Sequence, residues 1–292
     1  MWMKLFKNNI AGVGLGLTRK CNLGCVHCSA GDAQNLNMQK DVMRAVFSQA
    51  HIKTLFCLGG ELMLAPEVLS DVNDVLEECD NQPDSAVIIT NGTMKGDKQY
   101  WEQLRRLRDN CLGIEKQPVQ MYVSYDKFHQ EAARKLMSAE EYRQNVMELA
   151  GNEFFHDFNV AANGMLWKSG RARNYVGDVE VVEPPYDMPW TGYFKYHDAL
   201  FATSLAVSTL GDVFDNFDWR DYDAQKSSSF GNVLDKSIYE IITTSPGAIK
   251  CETVGDIERM RLRHSAFKTY LRAKAQNTML GGDPDLTKMN FV

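Results

Sequence analysis

The stretch Gly12-Val-Gly-Leu-Gly-Leu-Thr-Arg-Lys-Cys21-Asn-Leu-Gly-Cys25-Val-His-Cys28 sets an apolar, strand-like run directly before three thiols. GVGLGL (12–17) reads as a strand. The cysteines that follow, spaced C-x3-C-x2-C, fall on one loop, and the glycine inside Cys21-Asn-Leu-Gly-Cys25 lets that loop curl around a single inorganic centre. A structural zinc site usually takes four Cys or His ligands, and the only local fourth candidate, His27, sits too close to Cys28 for easy chelation. A redox C-x-x-C at Cys25 and Cys28 leaves Cys21 without a role. Iron-sulfur clusters are held by thiolates, and three thiolates on a four-iron cluster leave one iron open to a ligand.

Working outward, the hydrophobic period alternates. Met38, Val42, Ala45, Val46 and Ala50 recur at helical spacing; TLFCL (54–58) is a buried strand; Leu69, Val72, Val75, Leu76 and Cys79 stripe a second helix. AVIIT (86–90) is a third strand, followed by a helix around Trp101, Leu104 and Leu107. VQMYVSYD (119–126) is a fourth, and Ser138-Ala-Glu-Glu141 is a capping-box start for a helix carrying Tyr142, Val146 and Leu149. A fifth strand is expected at 158–165. Repeated strand–helix alternation predicts an α/β fold with a parallel sheet, whose chemistry lies at the C-terminal ends of the strands. Polar and glycine residues follow the strands as that rule requires: the cysteines after the first, Gly59-Gly60-Glu61 after the second, Asn91-Gly92 after the third, Ser124-Tyr125-Asp126 at the end of the fourth.

Composition bounds the rest. The 292 residues include 32 Lys plus Arg and 38 Asp plus Glu, a net charge of −6, which argues against a generally basic nucleic-acid clamp. No run approaches the roughly 18 apolar residues of a membrane span. Seven cysteines without an export signal argue against a disulfide framework, and a cytoplasmic location is expected. Cys57, Cys79 and Cys111 read as small hydrophobes.

Leu17 to Cys28 closely resembles the cluster loop of the radical S-adenosylmethionine (radical SAM) superfamily. Phe56-Cys-Leu-Gly-Gly-Glu61, Ile89-Thr-Asn-Gly92 and Val123-Ser-Tyr-Asp126 resemble, in order, that family's second-, third- and fourth-strand motifs. The resemblance covers about residues 12–175. It implies a partial (β/α)6 TIM-like barrel in which Cys21, Cys25 and Cys28 ligate one [4Fe-4S] cluster. S-adenosylmethionine chelates the fourth iron and is cleaved reductively to a 5′-deoxyadenosyl radical. It also implies an external one-electron reductant of flavodoxin or ferredoxin type. The expected cofactor contacts are Gly59 and Gly60 near the methionine amino group, Glu61 on that group or bracing the loop, and His27 against the adenine. Asn91, Ser124 and Asp126 are expected at the ribose or carboxylate, and Arg143 at the cofactor carboxylate. Where the family has Pro after this Glu, the chain has Leu62, with Pro66 farther on.

After Pro184-Pro185 the rhythm changes. Gly170-Arg-Ala172, Gly211 to Asn216 and Phe230 to Ile242 resemble the SPASM or twitch extensions of radical SAM enzymes. The cysteine expected after the G-x-V turn is replaced by Asp215-Asn216-Phe217. A core over residues 1–175 and a small α+β cap over 176–292 without an auxiliary cluster are therefore expected, with short strands at 205–208 and 212–214 and helices near 235–243 and 256–274. Trp190, Tyr193, Phe194, Tyr196 and Phe201 read as a packing seam ahead of a substrate mouth. Because the first strand begins near residue 12, no N-terminal peptide-binding domain is expected. Extensions of this type imply a peptide or protein substrate, with a sugar, aminocyclitol or nucleoside as the alternative and a non-catalytic scaffold as the second. No nucleic-acid or membrane partner is expected. The missing auxiliary cluster favours a redox-neutral outcome.

Overall fold

In a computed structural model the described residues are 8–28, 30–113, 116–159, 165–167, 170–177, 179–182, 193–202, 205–214, 229–245, 249–253, 255–256 and 259. The first half alternates as the periodicity requires: β1 (Asn9–Thr18), α1 (Lys40–Phe47), β2 (His51–Gly59), α2 (Pro66–Glu78), β3 (Ser85–Thr90), α3 (Lys98–Asp109), β4 (Val119–Ser124), α4 (Lys127–Ala133), α5 (Ala139–Ala150) and β5 (Phe155–Asn159). Strands β1 to β5 pair in sequence order and all in parallel. This is the expected partial TIM-like barrel. Its strands are apolar because both faces are covered: Val13, Leu15, Ile52, Leu55, Ile88, Met121 and Val123 are wholly buried. The helices turn Val42, Val46, Leu69, Val72, Leu104, Leu107 and Val146 onto them.

Helix boundaries follow local chemistry. Pro66 opens α2, where a missing N–H costs nothing. Ser138 and Glu141 form the expected capping box of α5, each side chain bonded to the other's backbone N–H. Leu62, standing where a Pro was expected, lies in a 3₁₀ turn (Leu62–Leu64) capped by the Glu61 side chain. The fourth strand ends at Ser124 rather than 126. Asp126 instead caps α4, accepting from the backbone N–H of Phe128 at 3.0 Å and His129 at 2.9 Å. The fifth strand lies at 155–159, and residues 160–164 are outside the described set.

The later chain adds β6 (Met165–Trp167), β7 (Glu180–Val182), β8 (Tyr193–Tyr196), β9 (Ala199–Ala202), β10 (Leu205–Val207), β11 (Asp212–Phe214), β12 (Gly231–Asn232), α6 (Ile238–Thr244) and β13 (Ile249–Cys251). Strands β6 and β7 form a two-stranded parallel sheet. The others join the main sheet: β10 runs parallel to β1, with Val13 opposite Leu205, and β8 pairs antiparallel with Asn9 and Ile10. The expected strands at 205–208 and 212–214 are thus β10 and β11, which form an antiparallel hairpin. The aromatic stretch packs as a seam: Phe194 is buried, Tyr196 stacks on Tyr239 of α6 at 4.1 Å, and Phe201 meets the same ring edge-on. Trp190, Asp215-Asn216-Phe217 and the expected helix at 256–274 fall outside the described residues, apart from isolated positions in the last. No helix among the described residues is long and apolar enough to cross a membrane.

Candidate functional site

At the C-terminal end of β1 the chain enters a loop built from backbone-directed bonds. Arg19, almost fully buried, donates from Nη2 to the carbonyls of Ala30 (2.8 Å) and Asp32 (3.0 Å), while its own N–H and C=O bond Leu36 and Gln34. One guanidinium thereby holds the chain on both sides of the cysteines. The Cys28 N–H donates to the Cys25 carbonyl at 3.2 Å, closing a turn that brings these two thiols together.

The second strand clamps this loop. Gly60 N–H donates to the Thr18 carbonyl and Glu61 N–H to the Lys20 carbonyl, both at 2.7 Å. That approach excludes side chains: a Cβ on Gly59 would lie 2.2 Å from the Thr18 oxygen and one on Gly60 2.0 Å from the Lys20 oxygen. Gly59 also has φ +139°, in the region open to glycine. The two glycines are therefore required by backbone packing at the root of the cysteine loop.

Cys21, Cys25 and Cys28 line one pocket of about 320 Å³, with Gly59, Gly60, Thr90, Asn91, Ser124, His27, His129 and Arg171 around it. All three thiols are free. Cys21 Sγ accepts from the Leu23 N–H at 3.4 Å and lies 3.8 Å from Asn91 Nδ2. Burial, together with the like charge of its neighbours, pushes the Cys25 thiol up to about 12, and Cys21 moves the same way. Left to themselves Cys21 and Cys25 stay protonated; a cationic metal centre is what makes clustered thiolates favourable. The donor set, the pocket and the absence of a competing disulfide fit a cluster held at three corners.

The expected cofactor residues divide. His27, Gly59, Gly60, Asn91 and Ser124 line the pocket. Glu61 is completely buried behind it: its carboxylate accepts from Met63 N–H (3.0 Å), Thr90 Oγ1 (2.9 Å) and Asn91 N–H (2.7 Å). These bonds tie the residue after β2 to the end of β3. Burial raises its pKa, and these donors oppose the rise. Asn91 is engaged too, donating to Asn22 Oδ1 at 2.9 Å and accepting from Thr93 Oγ1 at 2.6 Å. Arg143 lies apart, in a second pocket of about 160 Å³ with Tyr125, Gln130, Arg134 and Glu140.

Asp126 does not line the first pocket. It sits completely buried between two histidines, 2.9 Å from His129 Nδ1 and 3.8 Å from His27 Nε2. Burial would raise its pKa, but His129 and then His27 outweigh that and hold the carboxyl well below the usual range. Burial pulls His27 down to about 4. The His27 ring stacks on Phe128 at 4.7 Å and 25°, so one of its faces is covered.

Residues missed in the sequence complete the wall. Tyr142 donates to the carbonyls of both Asn91 and Ser124 at 2.9 Å, tying the ends of β3 and β4 to α5. His129 follows its cap by three residues, a spacing that could have been noticed. Arg171, seen only as part of Gly170-Arg-Ala172, reaches the site because Ala172 is buried against Phe128 and its own N–H donates to the Cys28 carbonyl at 3.0 Å.

No protein-family model matches the sequence, and no curated protein sequence matches it. Among solved structures, the chain is similar to native anSMEcpe with bound AdoMet and Cp18Cys peptide, with TM-score 0.50, 13% identity and 81% of each chain covered. That likeness establishes a shared fold. Streptococcus suis SuiB bound to precursor peptide SuiA also matches, with TM-score 0.40, 11% identity, and 81% of this chain and 65% of that one covered.

Proposed function

We propose that the chain is a radical SAM enzyme that holds one [4Fe-4S] cluster on Cys21, Cys25 and Cys28, cleaves S-adenosylmethionine reductively and abstracts hydrogen from a peptide or protein. The observation that carries this reading is the convergence of three free thiols on one pocket at the strand ends of a partial barrel. The shared fold of anSMEcpe, whose structure holds AdoMet and a peptide, supports the cofactor and the substrate class.

Held by Cys21, Cys25 and Cys28, a [4Fe-4S] cluster would supply the single electron for reductive cleavage of the sulfonium. The chain's own residues hold, orient and shield. Arg19 and the Gly59-Gly60 clamp fix the loop so that three sulfurs face one space. Asn91 and Ser124, at the ends of β3 and β4, present polar groups beside it, and Tyr142 fixes both carbonyls. His27 offers an imidazole kept neutral by burial, suited to packing against an adenine. Glu61 and Asp126 act from behind the wall by bracing backbone, and Arg143 serves a separate pocket. Electrons come from an external carrier of flavodoxin or ferredoxin type, in a reducing cytoplasm where these thiols stay unbridged.

Anaerobic reconstitution is expected to load about four irons per chain, and dithionite with S-adenosylmethionine to yield 5′-deoxyadenosine. Cys21→Ala, Cys25→Ala and Cys28→Ala each abolish both. A colourless, iron-free wild-type protein overturns the reading. Deuterium transfer from a labelled peptide into 5′-deoxyadenosine tests the substrate class, and transfer only from a labelled sugar overturns it.

A further inference from the structure

Arg171 lines this pocket, and the cluster reading leaves it without a task. Its backbone N–H bonds Cys28, and the guanidinium lies across the cysteine loop, with Nη1 3.9 Å from where a Cβ on Gly24 would stand. The side chain lines the thiol pocket and is mostly buried. Among the described residues it forms an ion pair with Asp32, at 3.4 Å from Nη1, and that carboxylate is 87% exposed, so solvent weakens it as a counter-charge. The Nε–H is buried and has no hydrogen-bond partner among the described residues. A buried, orphaned, charged donor is costly unless something negative faces it.

Its placement is deliberate in the packing. Gly170, with φ +49°, turns the chain, Ala172 is fully buried beside Phe128, and Tyr175 meets Phe128 edge-on at 5.6 Å. Phe128 in turn stacks on His27, between the second and third thiols. The turn that carries Arg171 is thus locked to the loop that carries the cysteines.

We propose that Arg171 is a positioning and charge-compensating residue for the iron-sulfur cluster, setting its reduction potential from the side of the chain that follows the barrel. Resting on the cluster reading above, this adds a named cation to it. Reduction adds one negative charge to a centre already negative through its three thiolates, so a fixed cation stabilises the reduced form more than the oxidised one. Hydrogen bonds and charge near the sulfurs are established levers on such potentials.

The test is an EPR-monitored redox titration of the reconstituted full chain, with iron content measured on the same samples. Arg171→Gln is expected to lower the reduced-to-oxidised ratio at a fixed potential about tenfold, a midpoint about 59 mV more negative for one electron. Arg171→Lys, which keeps the charge, is expected to stay within threefold of wild type. Equal iron with an unmoved midpoint in R171Q overturns the proposal. Should R171Q fail to take up iron, Arg171→Met gives the same test, removing the charge while keeping an unbranched side chain: its midpoint is expected to fall likewise, and an unmoved midpoint overturns the proposal. Iron-free wild-type protein would instead overturn the cluster reading itself.

Discussion

Tyr142 shows how a side chain outside every motif holds a site together. Its hydroxyl meets two carbonyls at strand ends 2.9 Å away while the ring is buried. Tyr142→Phe removes the hydroxyl proton that the two carbonyls share, at a cost of about 1–3 kcal/mol; urea denaturation checks this. Gly60→Ala acts differently. Its Cβ would meet backbone, which cannot swing aside, so the root of the cysteine loop must open. The expected outcome is iron loading reduced several-fold with far-UV circular dichroism retained. Wild-type iron content in G60A would contradict the clamp.

At the scale of elements, α5 presents Tyr142 to the site, and its first turn is fixed by the Ser138–Glu141 box. Ser138→Ala is expected to cost about 1 kcal/mol, seen as a lower denaturation midpoint at unchanged slope. This box was legible because capping is local chemistry written in four consecutive residues. The buried parallel strands were legible for a related reason, since sheets covered on both faces leave continuous apolar runs. Helix α4 was not: its seven residues KFHQEAA are too few for a helical period to show, and only the Asp126 cap marks its start. The cysteine pocket could be read from spacing, yet the positions of Asp126 behind the wall and Arg143 in another pocket could not. Side-chain direction at a strand end depends on where the next helix starts, and that boundary was read two residues late.

At the scale of the whole molecule, the unforeseen feature is the far edge of the barrel sheet. The sequence carries no mark of which distant segment pairs with β1, because any short apolar strand satisfies its hydrogen bonds. The strands read as a cap turn out to continue the core sheet, with Thr209 Oγ1 donating to the Gly16 carbonyl at 2.7 Å at the same end as the pocket. A chain stopped after residue 182 would leave the β1 edge unpaired along an apolar strand. Such a fragment is expected to elute as soluble aggregate on gel filtration, or to fall into the pellet, whereas the full chain does not. A monodisperse fragment would show that the edge is protected some other way.

The parallel pairing of Val13 with Leu205 also sets a timetable. Leu205 leaves the ribosome 192 residues after Val13 (205 − 13), so this margin of the sheet stays open while all the intervening chain emerges. Long-range closure of this kind slows folding and exposes the nascent chain to misassembly, and recombinant yield is accordingly expected to rise with slower, cooler expression.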